Sequence, residues 1–428
     1  MLDINYINTH TTLVTKQLER RGYHNADQQI TSLLGINTQR KAIQTALDQH
    51  ARSLNQHTRE IKKLVACGQS DRITAIQRST LEIKLVIKEL KCKLQHCKTQ
   101  LQQALYELPN LPHADVPTGR GEAHNVCLHQ YTPISPPSTE SLLPHWELTT
   151  KYTLVNFKFG NKVAGTGFPV YQDQGAILQR ALINFLLDRA RQAGYEEIQP
   201  PLITNEISAY GTGQLPDKEG QMYQLREGPY YLIPTAEVPL TNLYRDTILS
   251  THQLPIKHVA YTPCFRREAG TWGKQVRGLN RLHQFDKVEL VEIHPPETSY
   301  KALQRMRVYV QGLLEQLGLP YRVIKLCGGD LGFTAALTYD LEVWAAGQKR
   351  WLEVSSISTC EAYQARRLQL RYRDQSDKIH TLHTLNGSAV ALPRVIAALL
   401  EYNQDNEKIN VPTILHAYTG FKTIERKR

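Results

Sequence analysis

Phe265-Arg-Arg-Glu-Ala-Gly270 and Arg277-Gly-Leu-Asn-Arg-Leu-His-Gln-Phe-Asp-Lys-Val-Glu289 decide the reading of this chain. Two extended pieces bracket a basic, glycine-containing loop, the pattern of a β-hairpin. An arginine on the first strand can clamp a phosphate bidentately. An aromatic ring on the return strand can stack on a base. Taken singly, an Arg–Glu pair reads as a surface ion pair and Phe285 as a core ring; the whole constellation is far more specific. Neither the Walker loop GxxxxGK(S/T) nor a GxGxxG after a strand occurs, so phosphate has to be met by side chains.

Outward from the hairpin, extended apolar segments lie at 229–233, 257–261, 285–293 and 351–355. Gly175 to Ala193 carries Ile177, Leu178, Ala181, Leu182, Phe185, Leu186 and Ala190 at helical spacing. Strands joined by long irregular excursions, without a βαβ rhythm, predict an α+β fold: a mainly antiparallel sheet flanked by helices.

The N-terminal part is different. Leu47, Leu54 and Ile61 fall at a positions, with Ile43, His50, His57 and Leu64 at d. After a break at Cys67-Gly-Gln-Ser-Asp71 a second run places Ile73, Thr80, Ile87, Leu94 and Leu101 at a, and Ile76, Ile83, Leu90, Cys97 and Ala104 at d. A period of 3.5 residues indicates a coiled coil, and the short break folds the two helices into an antiparallel hairpin over about 27–107. Heptads alone favour an oligomerisation coil or a buried bundle, and the two histidines at d loosen the seam rather than mark a metal. Leu108 to Gly119 holds three prolines in nine residues and cannot continue a helix, which predicts domains at 1–110 and 111–428.

The 428 residues carry a formal net charge of +11, which suits a polyanionic partner. The seven cysteines form no CxxC pair and are odd in number, so neither a disulfide framework nor zinc is expected and a reducing cytoplasm fits. No apolar run reaches the roughly 18 residues of a membrane span; Ala389 to Leu400 is broken by Pro393 and Arg394. The N-terminal stretch lacks a basic start followed by an apolar run, so no secretory signal is expected.

Residues 261–290 resemble motif 2 of the class II aminoacyl-tRNA synthetases, in the form carried by seryl-tRNA synthetases of bacterial type. Gly167-Phe-Pro-Val-Tyr171 through Tyr195-Glu-Glu-Ile-Gln-Pro-Pro201 resembles motif 1, the family's dimer segment. Ile233-Pro-Thr-Ala-Glu-Val-Pro-Leu240 resembles its serine-binding loop. Thr338-Tyr-Asp-Leu-Glu-Val-Trp344, Glu353-Val-Ser-Ser356 and Gln364-Ala-Arg-Arg367 resemble the elements before motif 3, itself resembled by 385–401 with Leu385-Asn-Gly-Ser388 and Arg394. The resemblance covers nearly the whole chain in the family's order, and the heptad hairpin sits where such proteins carry a tRNA-binding arm.

The resemblance implies ATP-dependent activation of L-serine to an adenylate, transfer to the 3′ end of tRNA-Ser and, as the family usually allows, to tRNA-Sec. It implies a cytoplasmic homodimer without membrane contact. Thr235, Ala236, Glu237, Arg266, Glu289 and Ser388 are the implied serine site, with Glu237 and Glu289 for the ammonium group and Thr235 and Ser388 for the hydroxyl. Arg266, Arg267, Glu268, Arg281, Phe285, Glu353, Val354, Ser355, Ser356 and Arg394 are the implied ATP site. There Arg266 would meet the α-phosphate, Glu268 the adenine side and Phe285 the adenine face, with Arg394 on the other face or the γ-phosphate. Glu353 and Ser356 are an oxygen pair suited to Mg²⁺, a hard cation. No stretch remains for an editing domain.

Ala389 and Pro393 stand where the family generally has glycine, and Trp272 where it has a small residue. Two rivals fit less well. A relative that loads a carrier protein lacks the arm and carries zinc ligands; a non-enzymatic paralogue would have lost Arg266, Glu268, Glu289, Glu353 or Arg394.

Overall fold

The computed structural model describes residues 1–67, 69–133, 142–268 and 277–426. They form two units, Leu2–Glu19 with Tyr23–Pro109, and Met1 and Arg20–Gly22 with Asn110–Arg428.

The first unit is dominated by helices α1 (Ala26–Ala66) and α2 (Ser70–Glu107), packed as an antiparallel hairpin. Every a and d position from Ile43 to Leu64 and from Ile73 to Ala104 is buried or half-buried, and most residues between them are exposed. Burial at a 3.5-residue spacing keeps one seam facing the partner helix over a length of about 60 Å. Asn25 starts α1 from the left-handed region with φ 59°, a conformation that asparagine tolerates better than most residues.

The second unit is built on an eight-stranded sheet. Its strands in chain order are β1 (Val126–Tyr131), β2 (Glu196–Glu197), β3 (Ile256–Phe265), β4 (Gln284–His294), β5 (Tyr321–Lys325), β6 (Leu337–Ala345), β7 (Arg350–Glu361) and β8 (His383–Ala391). Their spatial order is β1-β5-β6-β7-β8-β4-β3-β2. All pairings are antiparallel except that of β2 with β3 at the edge. The extended and helical segments read from the sequence thus fall within an α+β fold, with more strands than the apolar runs alone revealed.

One face of this sheet is apolar. Val288 and Leu290 of β4, Leu341 and Val343 of β6 and Leu352 and Ile357 of β7 pack in one cluster with helices α3 (Gln174–Gln192), α4 (Pro296–Gln316) and α6 (Leu392–Tyr402). Leu178, Leu182, Phe185 and Leu186 bring α3 into that core. Each such side chain contributes about 1.5–3 kcal/mol when fully buried. No described helix is long and apolar enough to cross a membrane.

Behind the site lies a fully buried carboxylate. Glu401 of α6 accepts from the backbone N–H and Nδ1 of His145, from the backbone N–H groups of Gly347 and Gln348, and from the Gln348 amide, at 2.8–3.1 Å. The other imidazole nitrogen, Nε2, accepts from Leu279 N–H at 2.8 Å. Next to it Gly278 has φ +69°, and a Cβ there would lie 2.3 Å from His145 Nε2. A glycine is required where the returning limb of the loop seats on the histidine. Five donors converge on one side chain, so its removal strands them all. Glu401→Ala is expected to lower stability by about 3 kcal/mol or more, measured as the shift in the urea unfolding midpoint.

Candidate active site

Strands β3 and β4 form the hairpin that carries most of the polar side chains. Cα partners across it are Ala260 with Glu289, Thr262 with Lys287 and Cys264 with Phe285. Successive side chains of a strand point to opposite faces. Val288 and Leu290 therefore enter the helix-covered core, while Phe285, Lys287 and Glu289 line a cavity of about 620 Å³ on the other face. The neighbouring strand β8 adds Asn386 and Ser388, the latter the Cα partner of Glu289.

One end of the cavity is small and polar. Asn386 Nδ2 is shared between Glu237 Oε2 at 3.3 Å and Glu289 Oε1 at 3.4 Å. Ser388 donates to Glu289 Oε2 at 3.2 Å, where Lys287 Nζ also lies at 2.7 Å. Gln364, on the short helix α5 (Ala362–Arg367), donates to Glu237 Oε1 at 2.7 Å while its own carbonyl accepts from Thr384. Burial, with the neighbouring charge of Glu289, pushes the Glu237 carboxyl up to about 7, against the opposing hydrogen bond from Gln364.

The other end is open and more basic. The Arg266 guanidinium lies 5.2 Å over the Phe285 ring, a cation–π contact. Arg281 pairs with Glu268 across the mouth of the hairpin. Arg394 donates to the Asn280 carbonyl at 3.0 Å and to the Glu353 carbonyl at 2.7 Å.

Glu353 and Ser356 lie three residues apart, an odd spacing that a regular strand sends to opposite faces. Between β6 and β7 the partners run Glu342 with Glu353 and Leu341 with Ser355, so Val354 is an extra residue in a bulge. The bulge turns Glu353 and Ser356 to the same cavity while Leu352, Val354 and Ile357 remain in the core. Beneath them Asp340, the Cα partner of Ser356, is half-buried, and its buried Oδ1 has no hydrogen-bond partner among the described residues. Burial and the nearby Glu353 charge hold its carboxyl well above the usual range, against a hydrogen bond with Ser356.

Thirteen of the fifteen residues singled out in the sequence line this one cavity. Ala236 lies behind its wall, packed with Leu240, Ala260 and Val291. Arg267 is exposed, and its backbone N–H donates to the Gln221 carbonyl at 2.9 Å. Sequence reasoning passed over Lys287 and Asn386, which also line it. The two-residue period through Phe285 and Glu289, and the step from Asn386 to Ser388, was the signal for both. Ala389 is the extra residue of a second bulge, between Ser388 and Val390, and its φ is not positive. Pro393 sits in the first turn of α6, where its missing N–H costs nothing. Trp272 falls outside the described residues.

The profile of the seryl-tRNA synthetase N-terminal domain matches residues 1–112, and that of the tRNA synthetase class II core domain (G, H, P, S and T) matches 223–403. A serine–tRNA ligase of Salinibacter ruber is 47% identical over 427 residues, 99% of either chain. One of Acidithiobacillus ferrooxidans is 44% identical over 428 residues, again 99% of each. Among solved structures, seryl-tRNA synthetase from Pyrococcus horikoshii complexed with ATP superposes with a TM-score of 0.93 at 32% identity, covering all of both chains. The cytoplasmic serine–tRNA ligase of Naegleria fowleri in complex with AMP gives 0.87 at 25% identity, covering all of this chain and 99% of that one.

The raised Glu237 carboxyl has a consequence for ligands. Between its ordinary value of 4.5 and about 7, burial beside Glu289 keeps a proton on Glu237. An ammonium group placed between Glu237 and Glu289 favours the ionised carboxylate and expels that proton. Affinity for such a ligand is expected to be flat above about pH 7 and to fall roughly tenfold per pH unit below it. Calorimetry at pH 6 in two buffers of different ionisation enthalpy should register release of close to one proton, and Glu237→Gln should abolish it.

Proposed function

The chain belongs to the seryl-tRNA synthetase family, and we propose that this polar cavity seats L-serine at the Glu237–Glu289 end and ATP at the Arg266–Phe285 end. The protein is an ATP-dependent serine–tRNA ligase. The observation that carries the assignment of the two ends is the convergence of an acidic, hydroxyl-lined recess and a basic, aromatic mouth in one cavity.

Adenylate formation requires a carboxylate to attack the α-phosphorus of ATP in line as pyrophosphate leaves. No protein nucleophile is needed, so the residues work by positioning and by meeting charge. With the serine ammonium between Glu237 and Glu289, its carboxylate faces Arg266. Arg266 would leave the Phe285 ring for the α-phosphate, which vacates the ring face for adenine. Arg281 and Glu268, which pair with each other, would part to receive a phosphate and the adenine edge. Arg394, held by two backbone carbonyls, is left with donors for the far face of adenine or the γ-phosphate.

Glu353 and Ser356 would hold Mg²⁺. The fit rests on an oxygen-only donor set and on the buried Asp340 oxygen behind it that has no partner among the described residues. The cation supplies positive charge that offsets the phosphates; the chain supplies their alignment. A site built around a hydroxyl rejects analogues that lack it by about 10⁴–10⁵.

Residues 27–107 contain thirteen Lys or Arg against seven Asp or Glu, a net charge of +6. Neutralising phosphates dominates affinity for RNA, and a rigid hairpin reads helical RNA by shape and backbone contacts. The arm therefore serves tRNA with its long variable stem, and the chain divides functionally at the proline-rich segment after Glu107. A homodimer through the motif 1 segment, in the cytoplasm, completes this reading.

Arg266→Ala is expected to abolish serine-dependent pyrophosphate exchange while leaving the unfolding midpoint little changed; exchange within tenfold of the parent would remove Arg266 from the α-phosphate. Replacing 27–107 with a short linker should preserve exchange and lower tRNA charging by at least about a hundredfold, or roughly 2.7 kcal/mol. Loss of both would make the hairpin part of the catalytic fold, and retention of both would move tRNA selection elsewhere.

A further inference from the structure

Lysine is almost never fully buried unless paired. Lys287 is 6% exposed, in the middle of β4, and lines the cavity. Its ammonium group has three N–H donors. One goes to Glu289 Oε2 at 2.7 Å and one to Thr235 Oγ1 at 2.8 Å. The third has no acceptor among the described residues.

The contact with Thr235 determines how that hydroxyl can act. Its oxygen accepts from Lys287 and also from the backbone N–H of Glu237 at 3.2 Å. A hydroxyl has two lone pairs and one proton. With both lone pairs engaged, Thr235 can face a ligand only as a donor. Without Lys287 it could equally accept.

The recess thus has a sorted polarity. Glu237 and Glu289 accept, while Thr235 O–H and the remaining Lys287 N–H donate. An amino acid with its ammonium on the acceptors and its carboxylate toward Arg266 leaves one group for the donors, its side-chain hydroxyl oxygen. We propose that Lys287 is a selectivity residue for serine: it makes Thr235 an obligate donor and, with it, hydrogen-bonds the substrate hydroxyl. The inference rests on the reading of this recess as the serine site. Alanine, lacking that oxygen, leaves two buried donors unpaired, and unpaired buried groups are costly.

The test is serine- and alanine-dependent pyrophosphate exchange by the full-length protein and its variants. Lys287→Met is expected to raise the KM for serine and to cut the ratio of kcat/KM for serine over alanine by at least about tenfold. The KM for ATP should stay within about threefold, and Lys287→Gln, which keeps an N–H donor, should fall between parent and Lys287→Met. Thr235→Val, which keeps the shape and removes the O–H, should reproduce the lost ratio and carries the test if Lys287→Met does not fold. An unchanged ratio in the folded Lys variants, or in Thr235→Val, overturns the inference. So does an equal rise in the KM of ATP and serine, which marks a structural role. Glu289→Gln, run in parallel, separates the two levels. If it raises the serine KM while the Lys287 variants keep their selectivity, the recess remains the serine site and only the lysine's part is wrong. If neither residue affects serine, the reading of the recess falls as well.

Discussion

Strand β4 belongs to two environments at once, and its two-residue alternation is the constraint on which the rest of the second unit depends. Val288 and Leu290 are fully buried against the helices, while Phe285, Lys287 and Glu289 between and beside them line the cavity. Burial of the apolar set therefore aims the polar set, and a register slip of one residue would exchange them. The pairing of β4 with β3 and β8 carries the same order sideways, which brings Ser388 beside Glu289.

Such a cavity has to keep several ionisable groups away from water. The resolution at the acidic end is mutual. Lys287 offsets Glu289, Gln364 orients Glu237, and Asn386 divides one amide group between the two carboxylates. Burial still leaves Glu237 in a raised state, the expected result when two carboxyls share a site with one fixed cation. A ligand that brought its own ammonium group would complete the charge balance. At the basic end the same logic runs with less buried groups. Arg266 rests on Phe285 and Arg281 on Glu268, contacts that hold these side chains at the mouth of the cavity.

Two bulges lie on adjacent strands, one at Val354 of β7 and one at Ala389 of β8. Each inserts a residue that changes which face the following side chains meet. The first brings Glu353 and Ser356 onto one face despite their odd spacing. The second lies just beyond Ser388, with Ala389 and Val390 both in the core. Bulges cluster beside active sites because they re-aim side chains without breaking the sheet. Alanine is accommodated in the second because its backbone stays out of the left-handed region.

What could be read from the chain alone was whatever depends on near neighbours. The heptads of α1 and α2 were legible because a seam of period 3.5 is written along one helix at a time. The hairpin of β3 and β4, the helix α3 and the breaker after Glu107 were legible for the same reason, and ordered motifs carried most of the cavity-lining residues through family resemblance. The tertiary structure decided what depends on partners distant in sequence. Only cross-strand packing shows that Lys287 joins Glu289 to Thr235, fifty-two residues earlier, or that Asn386 bridges two carboxylates. Only the register shows that Val354 is an extra residue and that Glu353 and Ser356 face together. Ala236, inside the serine-loop motif, points into an apolar cluster because its neighbours Leu240, Ala260 and Val291 close around it. Local periodicity tells which residues share a face; what that face meets is set by the burial and hydrogen bonding of the whole fold.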